Sequence, residues 1–327
     1  MNHVPATSAD LIIAMPVFED WAAVLKLLEQ FAEIRGRLPE KLHFILVDDG
    51  SVSGPPPELS AAICGGATTL EVLPLARNLG HQRAIAIALC YVYDTHQAEG
   101  IVVMDADGED PPSAIPALLK QSYGRENDRV VFANRKRRSE GPLFAFFYHL
   151  YRFIHWCLTG VRVRVGNFSY LPQRFLHRLA VSSELWNHYA AAVFASKIPY
   201  VTVPVARARR LEGRSQMNFT GFVSHGLSAI SVFSAVMGAR VLLALAALSF
   251  LAVVLLVVVV AVRIFTTHAI AGWATYSAGL LLVLIVQFLT MSAAFAFVVL
   301  GRRSDAKIIP IRDYRHFLAT PLPTEHG

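Results

Sequence analysis

Charged residues are scarce in this chain of 327 residues: Asp, Glu, Lys and Arg make up 17% of it, against 54% for hydrophobic residues. A soluble domain seldom has so apolar a composition, which predicts a membrane-embedded portion. Cysteine is scarce as well, and the three that occur, Cys64, Cys90 and Cys157, are far apart. Their odd number and wide spacing exclude a disulfide framework and a cysteine-ligated zinc site.

The N-terminal segment MNHVPATSAD lacks the basic region and the apolar stretch of a secretory signal peptide. The first hydrophobic run, residues 11–15, is long enough only for a strand, so we expect the polar part of the chain to stay in the cytosol. The net charge of +6 would suit a nucleic-acid partner. The sequence contains no nucleic-acid recognition motif, however, and we expect no such partner.

Two long apolar runs account for the hydrophobic excess. Residues 241–262 carry no charge, and residues 276–300 carry only Gln287 and small hydroxyl groups among their apolar side chains. Each run is long enough to cross a hydrocarbon core of about 30 Å. Arg240 precedes the first run and several basic residues follow the second, whereas the loop between them has Arg263. The positive-inside rule therefore predicts a transmembrane hairpin with both termini in the cytosol.

The N-terminal two thirds of the chain alternates between strand and helix patterns. Predicted strands cover residues 11–15, 42–47, 70–75, 101–104 and 130–133, and predicted helices cover residues 21–34, 83–93 and 114–121. Tyr200–Val205 is a further strand-like run. This alternation predicts an α/β fold with a Rossmann-like, mostly parallel sheet and flanking helices.

The patterns divide the chain into consecutive regions. Residues 1–218 form the predicted cytosolic domain, 219–239 a juxtamembrane amphipathic helix, 240–301 the two spans, and 302–327 a basic cytosolic tail that we expect to be loose from residue 314 onward. The aromatic-rich residues 141–160 predict an amphipathic helix at the membrane surface, with a buried helix of the domain as the alternative.

An acidic cluster follows the fourth predicted strand. Asp105, Asp107 and Glu109 alternate along the chain, and side chains two residues apart on a strand point the same way. Ligand sites lie at the carboxyl ends of parallel strands. Converging carboxylates there predict a hard divalent cation that bridges to a substrate phosphate. The alternative is a solvated acidic turn before Pro111 and Pro112.

Polar motifs also follow other predicted strands, where side chains from neighbouring strands would meet. They are Met15-Pro16-Val17-Phe18-Glu19-Asp20, Val47-Asp48-Asp49-Gly50-Ser51, Arg77-Asn78-Leu79-Gly80-His81-Gln82-Arg83-Ala84, Ala133-Asn134-Arg135 and Arg207-Ala208-Arg209-Arg210-Leu211-Glu212-Gly213-Arg214-Ser215-Gln216-Met217.

The motifs after the first, second and third strands, the acidic cluster after the fourth and the last basic motif resemble, in that order, those of the inverting family-two glycosyltransferases: Pro-Val-Tyr-Asn-Glu-Glu, Val-Asp-Asp-Gly-Ser, Arg-Asn-x-Gly-x-x-x-Ala, Asp-Ala-Asp-x-Gln-x-Pro-Pro and Arg-x-x-Arg-x-x-Gly-x-Ser-x-Tyr. Ala133-Asn134-Arg135 resembles the family's Gly-x-Arg. The resemblance covers the whole chain and points to the membrane-anchored branch that attaches sugars to polyprenyl phosphates. That branch includes dolichyl-phosphate mannose synthase and the bactoprenol glucosyltransferases. The resemblance implies a GT-A fold and a UDP- or GDP-linked sugar donor.

The resemblance also assigns roles to residues. It implies that Asp107, Arg207 and Arg210 serve catalysis, and that Asp107, Glu109 and Asp105 hold Mg²⁺ or Mn²⁺. The residues that it implies for contact with the nucleotide-sugar are Pro16, Phe18, Glu19, Asp48, Asp49, Gly80, Asp105, Arg135 and Ser215.

The chain departs from the family pattern in three places, one of which is Met217 in place of the common Tyr of the last motif. Glu109 replaces the more usual Gln, and Asn167-Phe168-Ser169-Tyr170 stands where the family has Asp-Phe-Arg-Leu. The expected activity is sugar transfer to an undecaprenyl or dolichyl phosphate at the membrane. The alternatives are transfer to a hydroxyl acceptor of a glycolipid or polysaccharide, and a membrane protein that binds nucleotide without catalysis. A homo-oligomer is compatible with all three.

Overall fold

The computed structural model describes residues 11–39, 41–61, 68–123, 129–135, 156–160, 165–206, 208–212, 228, 230–266, 272–304 and 308–319. The chain forms two compact units. The first comprises Met1–Gly141, Val163–Val232 and Lys307–Gly327, and the second comprises Pro142–Arg162 and Phe233–Ala306.

The first unit is built on a seven-stranded sheet with strand order β3-β2-β1-β4-β6-β5-β7. The strands are β1 (Leu11–Val17), β2 (Leu42–Asp48), β3 (Thr68–Pro74), β4 (Gly100–Val103), β5 (Val130–Arg135), β6 (Ser169–Pro172) and β7 (Tyr200–Val205). All neighbouring strands are parallel except β6, which runs antiparallel to both β4 and β5.

The helices are α1 (Trp21–Glu33), α2 (Glu58–Ala61), α3 (His81–Thr95), α4 (Ile115–Tyr123), α5 (Leu176–Ala180), α6 (Tyr189–Ala195), α7 (Ser234–Phe265), α8 (Trp273–Ser304) and α9 (Pro310–Asp313). Short 3-10 helices cover Arg35–Arg37, Pro112–Ala114, Gln173–Phe175, Ser183–Trp186 and Tyr314–Phe317.

The central strands read as continuous apolar runs because both faces of the sheet are covered. In β1, Ile12 and Ala14 belong to a core shared with α3, α5 and α6. Leu11 and Ile13 belong to a second core on the other face, shared with α1 and α4. The mostly parallel α/β sheet predicted from the sequence is thereby confirmed.

Strand β6 was not predicted from the sequence. It has only four residues, Ser169–Pro172, and its polar start gives it no clear strand pattern. Its position depends on pairing with β4 and β5, which are distant in sequence. Long-range pairing of this kind overrides local propensity.

The C-terminal segment of the first unit is packed against the sheet domain, so the expectation of a loose tail from residue 314 onward was wrong for residues 314–319. Tyr314 is fully buried, and its hydroxyl donates a hydrogen bond of 2.7 Å to Asp94 Oδ2 on α3. Arg315 Nη2 contacts the same carboxylate oxygen at 2.9 Å. The amide of Ala76 donates to the Phe317 carbonyl at 2.9 Å. The buried ring of Tyr314, together with these hydrogen bonds, therefore fastens residues 314–319 to the sheet domain.

The second unit contains two long apolar helices that pack against each other, α7 and α8. Their candidate membrane spans are Ser234–Phe265, with mean hydropathy 3.2, and Trp273–Gly301, with mean hydropathy 2.4. Bulky apolar side chains on them are exposed, for example Phe250 and Leu243. Both helices are long and apolar enough to cross a membrane. Of the predicted surface helix at 141–160, only residues 156–160 are described. Of the predicted juxtamembrane helix at 219–239, residues 228 and 230–239 are described, and those from Ser234 onward belong to α7.

We predict that removal of the Tyr314 anchor destabilises the first unit. Tyr314→Ala should lower the free energy of unfolding by about 3–5 kcal/mol, because it leaves a large cavity. Tyr314→Phe should cost only about 1 kcal/mol, because it removes one hydrogen bond and keeps the ring. Thermal unfolding of the detergent-purified chain measures both, with His316→Ala, an exposed neighbour, as control. A midpoint for Tyr314→Ala equal to that of the control would contradict the anchor.

Candidate active site

The carboxyl ends of β2, β1 and β4 lie side by side at one edge of the sheet. These strands are parallel neighbours, and Val17 at the end of β1 pairs with Asp48 at the end of β2. Of the predicted motif residues, Phe18 comes directly after β1, Asp48 is the last residue of β2, and Asp105 lies two residues after β4. The sheet topology therefore gathers motifs that are far apart in sequence at the edge where parallel sheets bind ligands.

The loop after β4 is held together by its own carboxylates. The amide of Glu109 donates to Asp107 Oδ1 at 2.9 Å, and the amide of Asp105 donates to Asp110 Oδ2 at 3.1 Å. Asp110 is fully buried, whereas Asp105, Asp107 and Glu109 are partly exposed. Asp110 thus has a structural contact, and the three predicted metal ligands remain open to solvent.

The chain segment 208–212 runs along this acidic loop. The amide of Leu211 donates to the Asp107 carbonyl at 3.0 Å, and the amide of Ala208 donates to the Glu109 carbonyl at 3.1 Å. Gly108 has a φ of +82°, and a Cβ there would lie 2.3 Å from Leu211 Cγ. The close backbone contact places the basic motif beside the carboxylates, although the two are about 100 residues apart.

Arg210 bridges two carboxylates from different elements. Its Nη1 lies 3.3 Å from Asp107 Oδ2, and its Nη2 lies 2.6 Å from Asp20 Oδ2 at the start of α1. Its Nε donates to the Glu212 carbonyl at 2.9 Å. The planar guanidinium satisfies three acceptors at once, which a lysine ammonium could not do in this geometry. The structure thus brings together the predicted catalytic residues Asp107 and Arg210.

The pKa of Asp107 is raised above the ordinary aspartate value. Burial is the main cause, and the negative charges of Asp105 and Glu109 raise the pKa further. The hydrogen bond from the Glu109 amide and the charge of Arg210 act in the opposite direction. A positive charge nearby, such as that of a bound cation, would therefore stabilise the ionised carboxylate of Asp107.

The turn after β2 carries two adjacent buried carboxylates, Asp48 and Asp49, which have different hydrogen-bond partners. Asp48 Oδ1 accepts from the Ser51 amide at 2.9 Å. Asp49, predicted to contact the nucleotide-sugar, is buried and accepts from the amides of Leu79 at 2.7 Å and Gly80 at 2.9 Å. Burial raises the pKa of Asp49, and these two hydrogen bonds partly offset the rise. Asp49 therefore connects the turn to the loop before α3.

The motif after β1 contains Phe18, whose ring is exposed, and Glu19, whose carboxylate is held by hydrogen bonds. Phe18 is 39% exposed, which leaves its ring surface accessible for stacking, whereas Pro16 is buried within β1. Glu19 has a φ of +56° and accepts hydrogen bonds from the Ser53 hydroxyl and the Val52 amide. These bonds lower the pKa of Glu19, the one from Ser53 most strongly. Glu19 thus shapes the loop 51–53.

A buried amide network lies beside Asp105 and was not predicted from the sequence. Gln82 Nε2 donates to Asn167 Oδ1 at 3.0 Å, and Gln82 Oε1 accepts from the Tyr189 amide at 2.7 Å. Asn167 Nδ2 lies 3.5 Å from Asp105 Oδ1. The segment 167–170, which departs from the family pattern, is therefore in contact with the acidic site.

Several predicted site residues cannot be placed. Arg207 and Ser215 lie outside the described residues, and so does the side chain of Arg135, whose backbone ends β5. Gly80 is described: it has a φ of +92° and immediately precedes α3. Pro16, Phe18, Glu19, Asp48, Asp49, Asp105, Asp107, Glu109 and Arg210 are described as well.

Comparison with known proteins gives a sequence family and a fold. The model of the glycosyl transferase family 2 matches residues 12–178. The chain is 29% identical over 166 residues to dodecaprenyl-phosphate galacturonate synthase of Rhizobium johnstonii, covering 49% of this chain and 46% of that protein. It is 23% identical over 277 residues to the uncharacterized glycosyltransferase YkcC of Bacillus subtilis, covering 80% of each. The chain thus spans about half the length of the first relative.

A solved structure of a mycobacterial protein resembles the fold, with a TM-score of 0.50 at 15% sequence identity. The similarity covers 70% of this chain and 75% of that one. At this level of identity the likeness supports the α/β architecture.

Two glycines at the site give a matched test of close packing. Gly50 and Gly80 both have positive φ, so either change to Ala should cost about 1–2 kcal/mol from backbone strain. A Cβ at Gly50 would lie 2.6 Å from the Asn78 backbone nitrogen, whereas a Cβ at Gly80 meets no atom of the described residues within 4 Å. Gly50→Ala should therefore cost about 1–3 kcal/mol more. Thermal unfolding measures the difference, and equal midpoints would contradict the close approach.

Proposed function

Since the chain belongs to glycosyl transferase family 2, we propose that it transfers a sugar from a nucleotide-sugar donor to a polyprenyl phosphate at a membrane. The observation that carries the proposal is the contact of Arg210 with Asp107 at the carboxyl edge of the sheet. This contact brings the acidic loop after β4, proposed to bind a metal cation, next to Arg210, proposed to bind phosphate. The two apolar helices of the same chain supply the means of reaching a lipid acceptor.

The nucleoside part of the donor lies at the ends of β1 and β2 in this proposal. Phe18 offers an exposed ring on which a base can stack. Asp48 has a second carboxylate oxygen beyond the one that accepts from Ser51, and a carboxylate is a strong acceptor for a ribose hydroxyl or a base N–H. Asp49 and Glu19 shape the surrounding loops.

The donor set at the loop after β4 fits a hard divalent cation. Asp107, Glu109 and Asp105 offer partly exposed carboxylate oxygens, which are the ligands that Mg²⁺ and Mn²⁺ prefer. The raised pKa of Asp107 reflects burial among negative charges. When bound, the cation supplies positive charge that stabilises the diphosphate as the nucleotide departs.

Arg210 gives the site a permanent positive charge on the phosphate side. Its contacts with Asp20 and Asp107 hold it at the acidic loop, and a guanidinium can bind phosphate oxygens in a bidentate manner. The resemblance to the family assigns phosphate contacts to Arg207 and Arg135 as well. Together these groups bind the donor phosphates and the acceptor phosphate and orient them for reaction.

The proposed reaction needs no strong general base. An oxygen of the acceptor phosphate forms a bond to the anomeric carbon, the bond from that carbon to the nucleoside diphosphate breaks, and the configuration inverts. A phosphate monoester is already ionised near neutral pH. Asn167, whose Nδ2 lies 3.5 Å from Asp105 Oδ1, is an uncharged amide, and it suits an acceptor that brings its own negative charge.

The polyprenyl acceptor is supported by the name of the galacturonate synthase from Rhizobium johnstonii, which specifies dodecaprenyl phosphate. The orientation of the chain is part of the proposal. Arg240 lies near the start of α7, further basic residues lie at the end of α8 and after it, and Arg263 lies near the end of α7. The positive-inside rule then favours a cytosolic catalytic domain and cytosolic termini.

We predict that Asp107→Ala abolishes sugar transfer. The change removes a ligand of the cation and the partner of Arg210, so the rate should fall at least about 100-fold. The measurement is partition of radiolabel into organic solvent after the purified chain is mixed with polyprenyl phosphate and a panel of UDP- and GDP-linked sugars. Glu29→Ala, on the exposed face of α1, should transfer sugar as the wild type does.

The same assay separates the proposed function from its rivals. Labelled lipid from one donor supports transfer to a polyprenyl phosphate. Label that appears only with a glycolipid or polysaccharide acceptor would overturn the acceptor assignment. Nucleotide binding by the wild type without transfer to any acceptor would indicate a protein that has lost catalysis.

Glu109 gives a separate prediction on cation dependence. Glu109→Gln introduces the residue more usual in the family and removes one negative charge from the site. Transfer at saturating Mn²⁺ should persist, and the Mn²⁺ concentration for half-maximal rate should rise roughly 10-fold. A Mn²⁺ titration of the initial rate measures this shift. An unchanged half-maximal concentration would show that Glu109 does not contribute to cation binding.

A further inference from the structure

Three potential metal ligands converge far from the acidic loop. His43 lies on β2, Glu71 on the edge strand β3, and His96 directly after α3. Their ligand atoms lie within 4.8 Å of one another. Nε2 of His43 is 3.2 Å from Glu71 Oε1, and Nε2 of His96 is 3.4 Å from the same oxygen. Both histidines are buried, and Glu71 is partly exposed.

Each of the three side chains is oriented by a partner on its other polar atom. Nδ1 of His43 contacts the Thr69 hydroxyl, and Nδ1 of His96 lies 2.6 Å from the Thr95 hydroxyl. Tyr91 donates a hydrogen bond of 2.7 Å to Glu71 Oε2. Metal-binding histidines and carboxylates are commonly held by outer partners in this way.

The hydrogen bonds determine which ring nitrogen of His96 is free. The Thr95 hydroxyl donates its proton to the Tyr91 carbonyl at 2.7 Å, so its oxygen accepts from Nδ1–H of His96. The neutral ring then presents an Nε2 lone pair to Glu71. Within the described part of the chain, Nε2 of the buried His43 makes no hydrogen bond. A positive charge between the lone pair of His96 and the carboxylate of Glu71 would stabilise their close approach.

A metal ion would supply such a charge, and the geometry of the three ligands accommodates one. A tetrahedral zinc site with bonds of about 2.0–2.1 Å has ligands about 3.3 Å apart. The two nitrogen–oxygen distances of 3.2 and 3.4 Å match this edge. Two histidines and one glutamate form a ligand set known for zinc, with water in the fourth position.

We propose that His43, Glu71 and His96 bind a Zn²⁺ ion that fastens the end of α3 to the β2–β3 edge of the sheet.

The proposed zinc site is distinct from the active site. His43 is near the start of β2 and Asp48 ends it, so at about 3.3 Å per residue they are roughly 16 Å apart along the strand. The ion therefore acts on the stability of the sheet edge and takes no part in sugar transfer. The inference does not depend on the proposed function.

The test compares zinc binding by full-length variants in detergent. The wild type, His96→Gln and Glu71→Gln are stripped of metal with a chelator and titrated with ZnCl₂ against a chromophoric chelator. A glutamine at position 96 can still donate a hydrogen bond to Glu71 but is a poor zinc ligand. His177→Gln, an exposed histidine on α5, is the control. Zinc bound by Asp107 and Glu109 is common to all four proteins and cancels in the comparison.

The expected result is one more tightly bound Zn²⁺ per chain in the wild type and in His177→Gln than in the two cluster variants. Zinc should also raise the thermal midpoint of the wild type and of His177→Gln, because a ligand that binds the folded state stabilises that state. It should not raise the midpoint of His96→Gln or Glu71→Gln. Equal zinc stoichiometry and equal midpoint shifts in the wild type and both cluster variants would overturn the proposal and leave a protonated histidine pair in its place.

Co²⁺ gives a second readout of the same site. In the wild type it should produce the visible absorption bands of a tetrahedral ion, and in His43→Gln these bands should be lost. Absence of the bands from the wild type would also overturn the assignment. Neither result depends on whether the chain transfers sugar.

Discussion

The carboxylates at the ends of the parallel strands repel one another, and the site exists because Arg210 lies among them. The guanidinium contacts Asp107 at 3.3 Å and Asp20 at 2.6 Å. With about a fifth of each side chain exposed, these pairs lie between surface and buried ion pairs, whose removal costs about 0–1 and 3–5 kcal/mol respectively. Arg210 therefore connects the acidic loop, the start of α1 and the segment after β7, and it does so through charge instead of an apolar core.

The strands of the sheet could be predicted because β1, β2 and β4 are buried on both faces and appear in the sequence as uninterrupted apolar runs. The elements that escaped prediction depend on distant partners. Strand β6 has its place only through β4 and β5. The segment around Tyr314 is held by its contacts with Asp94 on α3 and by hydrogen bonds to the chain at Pro74 and Ala76, which no periodic pattern in the sequence indicates.

At the candidate site, the motifs predicted which residues meet but not what each one does. Asp48 and Asp49 are adjacent in sequence, yet Asp49 uses both oxygens to accept the amides of Leu79 and Gly80. Strand alternation predicts that neighbours face opposite ways, and only the fold shows which side holds the loop. Gln82 gave no signal in the sequence because its two partners, Asn167 and Tyr189, are remote.

The chain differs from the family pattern at both 167 and 169, and the two differences can be explained together. Asn167 and Ser169 stand where the family pattern has an acid and an arginine. An acid at 167 would face Asp105, since Asn167 Nδ2 lies 3.5 Å from Asp105 Oδ1, and the repulsion would require a nearby positive charge. An arginine at 169 would occupy a fully buried position where Ser169 now bonds to the Tyr189 hydroxyl at 2.8 Å. Loss of either charge alone would leave the other uncompensated, whereas loss of both leaves an amide network that Gln82 satisfies. The joint loss of an acid at 167 and an arginine at 169 leaves the net charge unchanged, so Glu109 in place of the family's Gln makes the site more negative by one charge, and that charge lies in the loop proposed to hold the cation.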